Sequence, residues 1–518
     1  MCGIAGIFYN NENPKDYKDS LLELLYTLRH RGNSHNEIAV GLGWTIGANR
    51  LEIVDPLNGR QPIFSSDGRV AVVFNGEIYN YKELKIQLLK KGYTFTTDTD
   101  TEVIANAYHC WGLEVFRRLD GMFAILIWDE RNNEYVAVRD PMGVKPLYFC
   151  HSGDQVIFAS EIKALIKYTN KIAIVRPGHY LTGRDGQVKY WHLEPCAITQ
   201  DVKQNARLLR EYISASVKKR LQTDLPVAVF LSGGIDSAVI LYEAINHHRN
   251  ITAFSIGSEY APDVVTSRKL CSLLDVDFVH VPVSSSDLLK IIPEVIWTIE
   301  SYEPNHIRGG TLSYYLSKEV AQRGFRLALC GEGADELFGG YREFGLARET
   351  EKTDQFIQGL FERFVSELHR TQLQRVDRTS MRFTLEVREP YLDKQIINFA
   401  FSLPVSHKVS ILTNGQCQGK IILREAYEGI LPEWITSREK IVLSLGAGFG
   451  GNGPEGIFYT NGMNMISDSE LGNLRAKYPE YSIKSHEEAY YFKIFLEKFG
   501  EVAHTKERPL VNSTPVST

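Results

Sequence analysis

The sequence has few cysteines, no long apolar run and no excess of basic residues, and each absence argues against a class of protein. Its 518 residues include seven scattered cysteines without a Cys-x-x-Cys pair. That pattern argues against a disulfide framework and leaves a structural zinc site without ligand spacing. No apolar run approaches the ~20 residues needed to cross a bilayer. We therefore expect reduced thiols, a cytoplasmic location and no membrane partner.

The overall composition is that of an ordinary globular protein. The net charge is −5, with 23% charged and 43% hydrophobic residues, so nothing indicates a nucleic-acid partner. The apolar first eight residues lack a basic leader, which argues against a secretory signal. At ~150 residues per domain, the length predicts two to four domains.

A strand, loop and helix are predicted in the segment 227–240, which is the first strong chemical signal. The β-branched and aromatic run 227–231 stops at Ser-Gly-Gly in 232–234, and a helical segment with Asp236 and Ser237 follows. Adjacent glycines let the backbone approach a ligand, and hydroxyl and N–H donors favour an anion such as phosphate. The alternative is a turn that merely needs glycine. The Gly-Lys-Ser/Thr of the common phosphate loop does not follow.

Cys2 follows Met1 directly. If Met1 is removed, one residue carries both a thiol and an α-amine, whose typical pKa of ~7.7 to 8.0 suits a general base. The thiolate can then attack a carbonyl carbon while the amine takes and later returns the thiol proton. A cysteine at the second position is rarely catalytic when taken alone, so this interpretation depends on the stretches that follow.

The later stretches of the first half each have an ordinary explanation. Asn75-Gly76 is typical of a hairpin turn, and the segment 97–102 is typical of a helix N-cap with acidic first-turn residues. Together behind Cys2, however, they resemble the glutamine amidotransferase domain of N-terminal nucleophile hydrolases, specifically the asparagine synthetase type. The matching stretches are 29–32, 48–55, 59–62, 75–80, 97–102, 121–124, 139–148 and 159–165.

This resemblance implies an α+β sandwich with αββα layers and assigns residue roles. Cys2 is the implied nucleophile, and Asn75 with the Gly76 N–H is the implied oxyanion hole. The implied glutamine-binding residues are Arg50 for the α-carboxylate, and Glu77 and Asp100 for the α-ammonium. A forked guanidinium suits a carboxylate, and carboxylates suit an ammonium. Two departures from the family are Asn33-Ser34, where Pro-Asp is usual, and Glu52, where a small residue is usual.

Strands and helices alternate in the second half, which predicts an open parallel sheet covered on both faces. Ligands of such sheets lie beyond the carboxyl ends of the strands, and Ser232, Ser255 and Gly331 all lie at the carboxyl ends of predicted strands. The further predicted strands are 251–256, 277–283 and 327–330, and the predicted helices are 205–221, capped by Asn205, 265–274 and 288–299.

Three acidic residues lie within the stretch 332–336. A metal ion or another cation usually offsets the repulsion between such neighbouring carboxylates. A solvated acidic turn is the alternative. With the loop at 232–237, this stretch resembles the ATP pyrophosphatase-type synthetase domain of the asparagine synthetase family, an α/β parallel-sheet fold with a helical C-terminal part. The implied cofactors are ATP and Mg²⁺. The implied ATP- and pyrophosphate-binding residues are Leu231, Ser232, Gly233, Gly234, Asp236, Ser237, Ser255, Ile256, Gly331 and Lys440.

Other roles in this domain also come from the resemblance. Asp236 and Asp335 are the implied magnesium ligands, Glu332 lies in the acyl-transfer site as a base for ammonia, and Arg308 binds the acceptor. The family's usual Ile-Arg-Ala-Ser is Ile-Arg-Gly-Gly at 307–310. The glycine-rich segment 441–452 is interpreted as a flexible loop over the second site, because Asn-Gly-Pro, at 452–454, stands where a dinucleotide fingerprint would open a helix.

The resemblance implies glutamine-dependent asparagine synthesis. Glutamine is hydrolysed at Cys2, and the ammonia passes through the protein to an aspartate activated as an acyl-adenylate, giving asparagine, AMP and pyrophosphate. The alternatives are an amide synthetase for another small carboxylic acid and a nucleotide or glutamine sensor without turnover. A homodimer is implied as well. The expected domains are a glutaminase at 1–193, a linker at 194–204, a synthetase at 205–507 and a flexible tail at 508–518.

Overall fold

The computed structural model describes residues 2–9, 15–32, 37–51, 58–411, 417–451 and 453–502. The departures at Asn33, Ser34 and Glu52 and the tail 508–518 lie outside the described residues. The described chain forms two compact units. The first holds residues 2–192 together with 381–384 and 496–502, and the second holds the remainder.

Two antiparallel six-stranded sheets form the first unit. The strand orders are β10-β8-β9-β1-β3-β2 and β12-β11-β7-β6-β5-β4. The strands are β1 Cys2–Phe8, β2 Glu37–Gly41, β3 Trp44–Arg50, β4 Ile63–Phe64, β5 Val70–Ile78, β6 Gly121–Asp129, β7 Glu134–Arg139, β8 Tyr148–Ser152, β9 Gln155–Ala159, β10 Ala173–Ile174, β11 His179–Thr182 and β12 Gly186–Lys189.

Helices cover the outer faces of these two sheets. Side chains of β1 and β3, such as Ile4 and Ile46, pack in one apolar cluster with Val73 of β5 and Leu126 of β6, so the two sheets face each other. Helix α1 packs on the first sheet, and α2 and α3 pack on the second. These helices are α1 Lys15–Thr27, α2 Tyr81–Leu89, α3 Asp100–Trp111 and the short α4 Val115–Arg118. The predicted αββα arrangement is confirmed.

The interpretation of Asn75-Gly76 as a hairpin turn is wrong. Both residues lie inside β5, where Asn75 pairs with Ala124 and Gly76 with Phe123 of β6. Pairing along the whole of β6 outweighs the local turn preference of Asn-Gly. The pair therefore presents its polar groups from a strand.

A parallel sheet of five strands forms the centre of the second unit, in the order β15-β14-β13-β16-β17. Buried, mainly apolar residues fill the three inner strands, as expected for a sheet covered on both faces, whereas the two edge strands carry polar residues. The strands are β13 Val227–Phe230, β14 Ile251–Gly257, β15 Asp277–Pro282, β16 Leu327–Leu329 and β17 Glu386–Arg388, with a separate antiparallel pair, β18 Val409–Ile411 and β19 Cys417–Gly419.

The remaining helices surround this sheet and make up the C-terminal part. They are α5 Val202–Arg220, α6 Ile235–His247, α7 Pro262–Leu274, α8 Ser285–Lys290, α9 Ile292–Ile299, α10 Pro304–Gln322, α11 Ala334–Phe338, α12 Arg342–Glu349, α13 Asp354–Glu367, α14 Gln372–Met381, α15 Lys394–Ser402, α16 Ile421–Ala426, α17 Glu433–Thr436, α18 Leu443–Gly446, α19 Ile457–Met465, α20 Asp468–Lys477 and α21 His486–Phe499. No helix in the described ranges is long and apolar enough to span a membrane.

Two helix predictions need correction. The cap of α5 is Asp201, whose side chain accepts from the Lys203 N–H, whereas Asn205 is buried and hydrogen-bonds Thr199 and His407. The predicted helix 288–299 is two helices, α8 and α9, with a proline at the start of the second. Proline suits the first turn of a helix, where its missing N–H has no intrahelical partner.

Candidate functional site

Cys2 and Asn75 are in direct contact in the first unit. The Cys2 backbone nitrogen donates to Asn75 Oδ1 at 3.0 Å. Asn75 Nδ2 is buried and has no hydrogen-bond partner among the described residues, so it is a donor available to a ligand. Gly76 has a φ of +154°, and a Cβ there would lie 2.0 Å from the Met122 carbonyl oxygen. Only glycine therefore fits beside Asn75.

Gln61 also reaches the nucleophile, although sequence reasoning assigned it no role. Its Nε2 donates to Cys2 Sγ at 3.8 Å, and its Oε1 accepts from the Phe74 N–H at 2.7 Å. The second bond ties the side chain to β5. Its position in the matched stretch 59–62 was the one available signal.

A buried cluster of charge lies behind Cys2. Arg31 Nε donates to the Cys2 carbonyl oxygen at 3.2 Å, and its Nη1 bonds Glu161 at 2.6 Å. His30 and Lys163 also pair with this carboxylate. Burial raises the pKa of Glu161, but the three basic groups outweigh burial and hold that pKa well below its ordinary value. The cluster fixes the backbone of the nucleophile.

The predicted glutamine-binding residues are all buried in the same unit. Arg50 pairs with Cys2 across β3 and β1. A Cβ on Gly59 would lie 2.2 Å from Arg50 Nη2 and 2.6 Å from Thr99 Cγ2, so the guanidinium lies close to the start of α3. There Asp100 Oδ2 accepts from the Ile78 N–H at 3.1 Å.

Glu77 and Asp100 lie near one another, because Asp100 Oδ2 accepts from the N–H of Ile78, the residue that follows Glu77. Burial, and then the charges of Asp100 and Glu77, raise the pKa of Tyr81 to about 12. The two carboxylates therefore place negative charge in one region of the unit. That arrangement can accept an ammonium group.

The loop between β13 and α6 has the predicted form. Gly233 has a φ of +69°, a conformation that favours glycine. Ser237 Oγ accepts from the Ser232 N–H at 3.1 Å and donates to the Gly234 carbonyl at 3.2 Å. The loop thus closes on the first turn of α6, with Leu231 buried at the end of the strand.

Ser255, Ile256 and Gly331 lie beside this loop at the carboxyl edge of the sheet. β14 pairs with β13, and Ser255 Oγ is buried without a hydrogen-bond partner among the described residues. Ile256 is buried. A Cβ on Gly331 would lie 3.0 Å from Asp236 Cβ, so the strand end after β16 packs directly on α6.

Lys420 joins the two predicted metal ligands. Its Nζ lies 2.6 Å from Asp236 Oδ2 and 2.5 Å from Asp335 Oδ1, and Lys440 Nζ lies 2.5 Å from Asp335 Oδ2. Lys420 is buried and has a left-handed backbone, φ +60° and ψ 30°, at the start of α16. Sequence reasoning missed Lys420, because no local pattern relates it to either carboxylate.

The two carboxylates differ in their electrostatics. Burial raises the pKa of Asp236, and the neighbouring Asp335 raises it further against the opposing charge of Lys420. Burial also acts to raise the pKa of Asp335, but Lys420 and Lys440 outweigh it and leave that pKa well below its ordinary value. Asp236 Oδ1 is buried without a hydrogen-bond partner in the described structure.

These residues fit a magnesium ion. Mg²⁺ prefers oxygen ligands, and sites for nucleotide-bound magnesium commonly use one or two carboxylates with the phosphates. Asp236 and Asp335 supply two carboxylates, one with an unpartnered buried oxygen. No cluster of three or more acidic, histidine or cysteine ligands occurs among the described residues.

Glu332 and Arg308 are each paired with a residue that the sequence did not single out. Arg375 Nη2 donates to Glu332 Oε1 at 2.6 Å. Both Nε and Nη2 of Arg308 bond the carboxylate of Glu487 in α21, with Nε at 2.8 Å from Oε1. The predicted acceptor role of Arg308 stays a prediction, and the structure assigns two of its donors to Glu487.

The glycine-rich segment after Lys440 contains a short helix, α18, rather than a continuous loop. The Ser258 N–H donates to the Ala447 carbonyl at 3.0 Å, and both Ala447 and Phe449 are buried. A Cβ on Gly446 would lie 2.2 Å from Asp263 Oδ2. Glycine there allows α18 to pack closely on the start of α7.

Both units match protein-family models. Residues 1–187 match a glutamine amidotransferase domain. Residues 208–355 and 346–450 match the asparagine synthase domain. The cysteine-centred αββα unit and the parallel sheet with a glycine loop therefore define an amide-forming ligase that uses glutamine, as predicted.

Curated relatives extend over nearly the whole chain. Asparagine synthetase [glutamine-hydrolyzing] 3 of Arabidopsis thaliana is 32% identical, covering 96% of this chain and 87% of its own length. A probable asparagine synthetase [glutamine-hydrolyzing] of Schizosaccharomyces pombe is 33% identical, covering 96% and 94%. A solved allosteric regulatory enzyme of purine biosynthesis matches 54% of this chain and 80% of its own, with 20% identity and a TM-score of 0.33. The chain belongs to the glutamine-hydrolysing asparagine synthetase family.

The buried His306, in the second unit, should make the stability of the protein depend on pH. Burial, and then the charges of Arg375 and Arg370, lower the pKa of His306 to about 3. The pKa of histidine in the unfolded chain is higher, about 6.5. Neutral His306 therefore contributes stability that is fully present above pH 6.5 and is lost as the pH falls. From pH 7 to pH 5 we expect His306 to account for a loss of about 2 kcal/mol in the free energy of unfolding.

The substitution His306→Asn should remove that part of the pH dependence, because asparagine stays neutral and can still bond Ser301 Oγ, the partner of Nδ1. Urea unfolding at the two pH values measures the effect. His151, which is exposed on β8, provides the control substitution to Asn. Equal pH dependence in the wild type and His306→Asn would contradict the prediction.

Proposed function

We propose that the protein makes asparagine from aspartate, taking nitrogen from glutamine and activation energy from ATP. Family membership supports the reaction. The observation that carries the proposal is the cluster of Asp236, Asp335, Lys420 and Lys440 beside the glycine loop, where charge suited to a metal and to phosphates converges. A sensor without turnover would have no need of this arrangement.

The proposed first half-reaction takes place at Cys2. The α-amine freed by removal of Met1 takes the thiol proton, and the thiolate attacks the side-chain carbonyl carbon of glutamine. The tetrahedral adduct then collapses to a thioester as the C–N bond breaks, and the amine delivers the proton to the nitrogen that leaves as ammonia. Asn75 Nδ2 and the Gly76 N–H donate to the tetrahedral oxygen. Water then hydrolyses the thioester to glutamate. The contact between Cys2 and Asn75 supports this assignment.

The proposed orientation of glutamine uses Arg50 for the α-carboxylate, and Glu77 with Asp100 for the α-ammonium. The support is their burial in the same unit as Cys2 and the strand pairing of Arg50 with Cys2. Opposite charges at both ends of the amino acid fix which carbonyl reaches the thiol.

The proposed second half-reaction takes place at the edge of the parallel sheet. The β-carboxylate of aspartate attacks the α-phosphorus of ATP, pyrophosphate leaves, and an acyl-adenylate remains. The loop 231–237 with Ser255, Ile256, Gly331 and Lys440 binds ATP and pyrophosphate. Asp236 and Asp335 would hold Mg²⁺, which neutralises charge on the phosphates when bound. Ammonia then displaces AMP, and Glu332 takes the proton.

The location, the oligomeric state and the domain limits stay predictions. Seven free thiols are consistent with a cytoplasmic location. The homodimer, the acceptor role of Arg308 and the domain limits 1–193, 194–204, 205–507 and 508–518 rest on the resemblance.

Incubation with glutamine, aspartate, ATP and Mg²⁺ tests the function. We expect asparagine, glutamate, AMP and pyrophosphate in equal amounts, together with aspartate-dependent exchange of pyrophosphate into ATP. Glutamate release without asparagine would indicate another acceptor acid. Absence of both glutamate release and exchange would contradict an enzyme and favour a sensor.

Asn75→Ala should lower the rate of glutamine hydrolysis by about 100-fold, because removal of one oxyanion donor typically costs that much. Synthesis from ammonium salts should be unchanged. The control is Asn80→Ala, which removes hydrogen bonds to Arg118 and Asp120 away from Cys2. Normal glutaminase activity in Asn75→Ala would exclude the oxyanion role.

A further inference from the structure

Arg375 forms an ion pair at the proposed site of amide transfer. It lies on α14, and its Nη2 donates to Glu332 Oε1 at 2.6 Å. The two side chains are 12% and 25% exposed, respectively, so the pair is largely shielded from water. A charge-assisted bond in such surroundings is strong and directional. The bond therefore restricts where the Glu332 carboxylate can point.

Gly309 of α10 makes room for this guanidinium. A Cβ on residue 309 would lie 2.6 Å from Arg375 Nη1 and 3.2 Å from Arg375 Cδ. The nearest atom belongs to the mobile end of a side chain, so an added methyl group would displace the guanidinium before it displaced the helix. The adjacent Gly310 has a different neighbour, since a Cβ there would lie 2.2 Å from Ile299 Cδ1.

Two glycines in the interior of a helix weaken it, and in α10 each has a separate packing reason. Gly310 permits close contact with α9. Gly309 contributes nothing to that contact, because its open side faces Arg375. The second glycine of Ile-Arg-Gly-Gly is thus explained by helix packing, and the first by the position of one guanidinium.

Glu332 is the acidic partner of Arg375 within the described chain. Arg375 Nε is buried without a hydrogen-bond partner there, so Nη2 is the donor that the pair uses. The nearby His306 has its pKa lowered to about 3 by burial and then by the charges of Arg375 and Arg370. His306 is neutral at pH 7 and does not compete for the carboxylate.

We propose that Arg375, seated against Gly309, is a positioning residue that aims the Glu332 carboxylate at the incoming nitrogen. The inference rests on the proposed function. Arg375 holds Oε1 and leaves Oε2 to the reaction. Ammonia forms the C–N bond, the C–O bond to AMP breaks, AMP leaves with the electron pair, and one proton passes from nitrogen to Oε2. Adenylation precedes this step and does not need the pair.

Three variants test the proposal: Arg375→Met, Arg375→Lys and Gly309→Ala. The assays are asparagine formation from ammonium chloride and aspartate-dependent exchange of pyrophosphate into ATP. In Arg375→Met we expect asparagine formation to fall about 100-fold, the usual cost of a misplaced reacting group, while exchange stays within about threefold. Arg375→Lys should recover about tenfold of the loss, because it keeps a cation but not the fork. Gly309→Ala should lose about tenfold.

Gly359→Ala in α13 is the matched control, because a Cβ there meets no atom within 4 Å. It should leave both assays unchanged. The melting temperature of each variant checks that it is folded. If Arg375→Met does not fold, the two assays on Gly309→Ala and Arg375→Lys test the proposal.

Equal loss of exchange and asparagine formation in the folded variants would overturn the proposal, since Arg375 would then act in adenylation. Unchanged asparagine formation would overturn it as well. Failure of the proposed function would appear separately, as a wild type without aspartate-dependent exchange.

Discussion

Cys2→Ala is expected to abolish glutamine-dependent synthesis, with a loss of at least about 1,000-fold, because the nucleophile of the first half-reaction is gone. Synthesis from ammonium salts should stay within about twofold of the wild type, because free ammonia replaces the missing product. Parallel measurements of glutamate release, asparagine formation and pyrophosphate exchange check both expectations.

Cys150→Ala is the appropriate control, since this buried thiol lies in the same sheet as Cys2 but on β8. It should retain glutaminase activity. Loss of both glutamine- and ammonium-dependent synthesis in a folded Cys2→Ala protein would contradict separate sites for the two half-reactions. Full glutaminase activity in that variant would contradict the assignment of the nucleophile.

Lys420→Met should be the most damaging single change in the second unit. It removes the ammonium that lies 2.6 Å from Asp236 and 2.5 Å from Asp335, and leaves two buried carboxylates facing each other. Removal of one partner from a buried ion pair typically costs about 3 to 5 kcal/mol in the free energy of unfolding. Chemical denaturation at neutral pH measures this loss, and pyrophosphate exchange should disappear with it.

The control is Lys408→Met, which removes another buried lysine of the same unit. Lys408 Nζ donates to the Ala400 carbonyl at 3.1 Å and lies 3.6 Å from the centre of the Phe361 ring, and burial lowers its pKa to about 7. Because a methionine of similar length suits apolar surroundings, we expect a change within about 1 kcal/mol.

Magnesium provides a second measurement on Lys420→Met. With the ammonium gone, Asp236 and Asp335 present more uncompensated charge to a divalent cation. Added Mg²⁺ should therefore raise the melting temperature of Lys420→Met more than that of the wild type, through preferential binding to the folded state. Equal melting temperatures of the wild type and Lys420→Met without added metal would show that Lys420 does not hold the carboxylates together.

Local patterns predicted much of the second unit correctly. The run 227–231 became β13, Ser-Gly-Gly became the loop, and the following apolar segment became α6. Each of these depends on residues a few positions apart, where hydrophobic period and glycine conformation are informative. The three residues of β17 show no such local pattern, and the place of this strand at the sheet edge depends on its pairing with β16.

Contacts between distant residues explain what sequence reasoning missed. Lys420 reaches Asp236 and Asp335, Arg375 reaches Glu332, and Glu487 pairs with Arg308. Charge alone does not identify these partners among 58 basic and 63 acidic residues. Asn75-Gly76 is the reverse case, since its strong local preference for a turn yielded to the β-sheet.

The backbone conformation at residue 420 and the surroundings of its side chain favour different amino acids. A left-handed conformation at φ +60° suits glycine or asparagine and costs other residues about 1 to 2 kcal/mol. The two carboxylates require a long cation at the same position. A substitution to glycine would relieve that backbone cost but remove the ammonium, whose loss costs about 3 to 5 kcal/mol, so the protein would still be destabilised. Selection for stability alone would therefore keep a lysine at position 420 as long as both carboxylates are present.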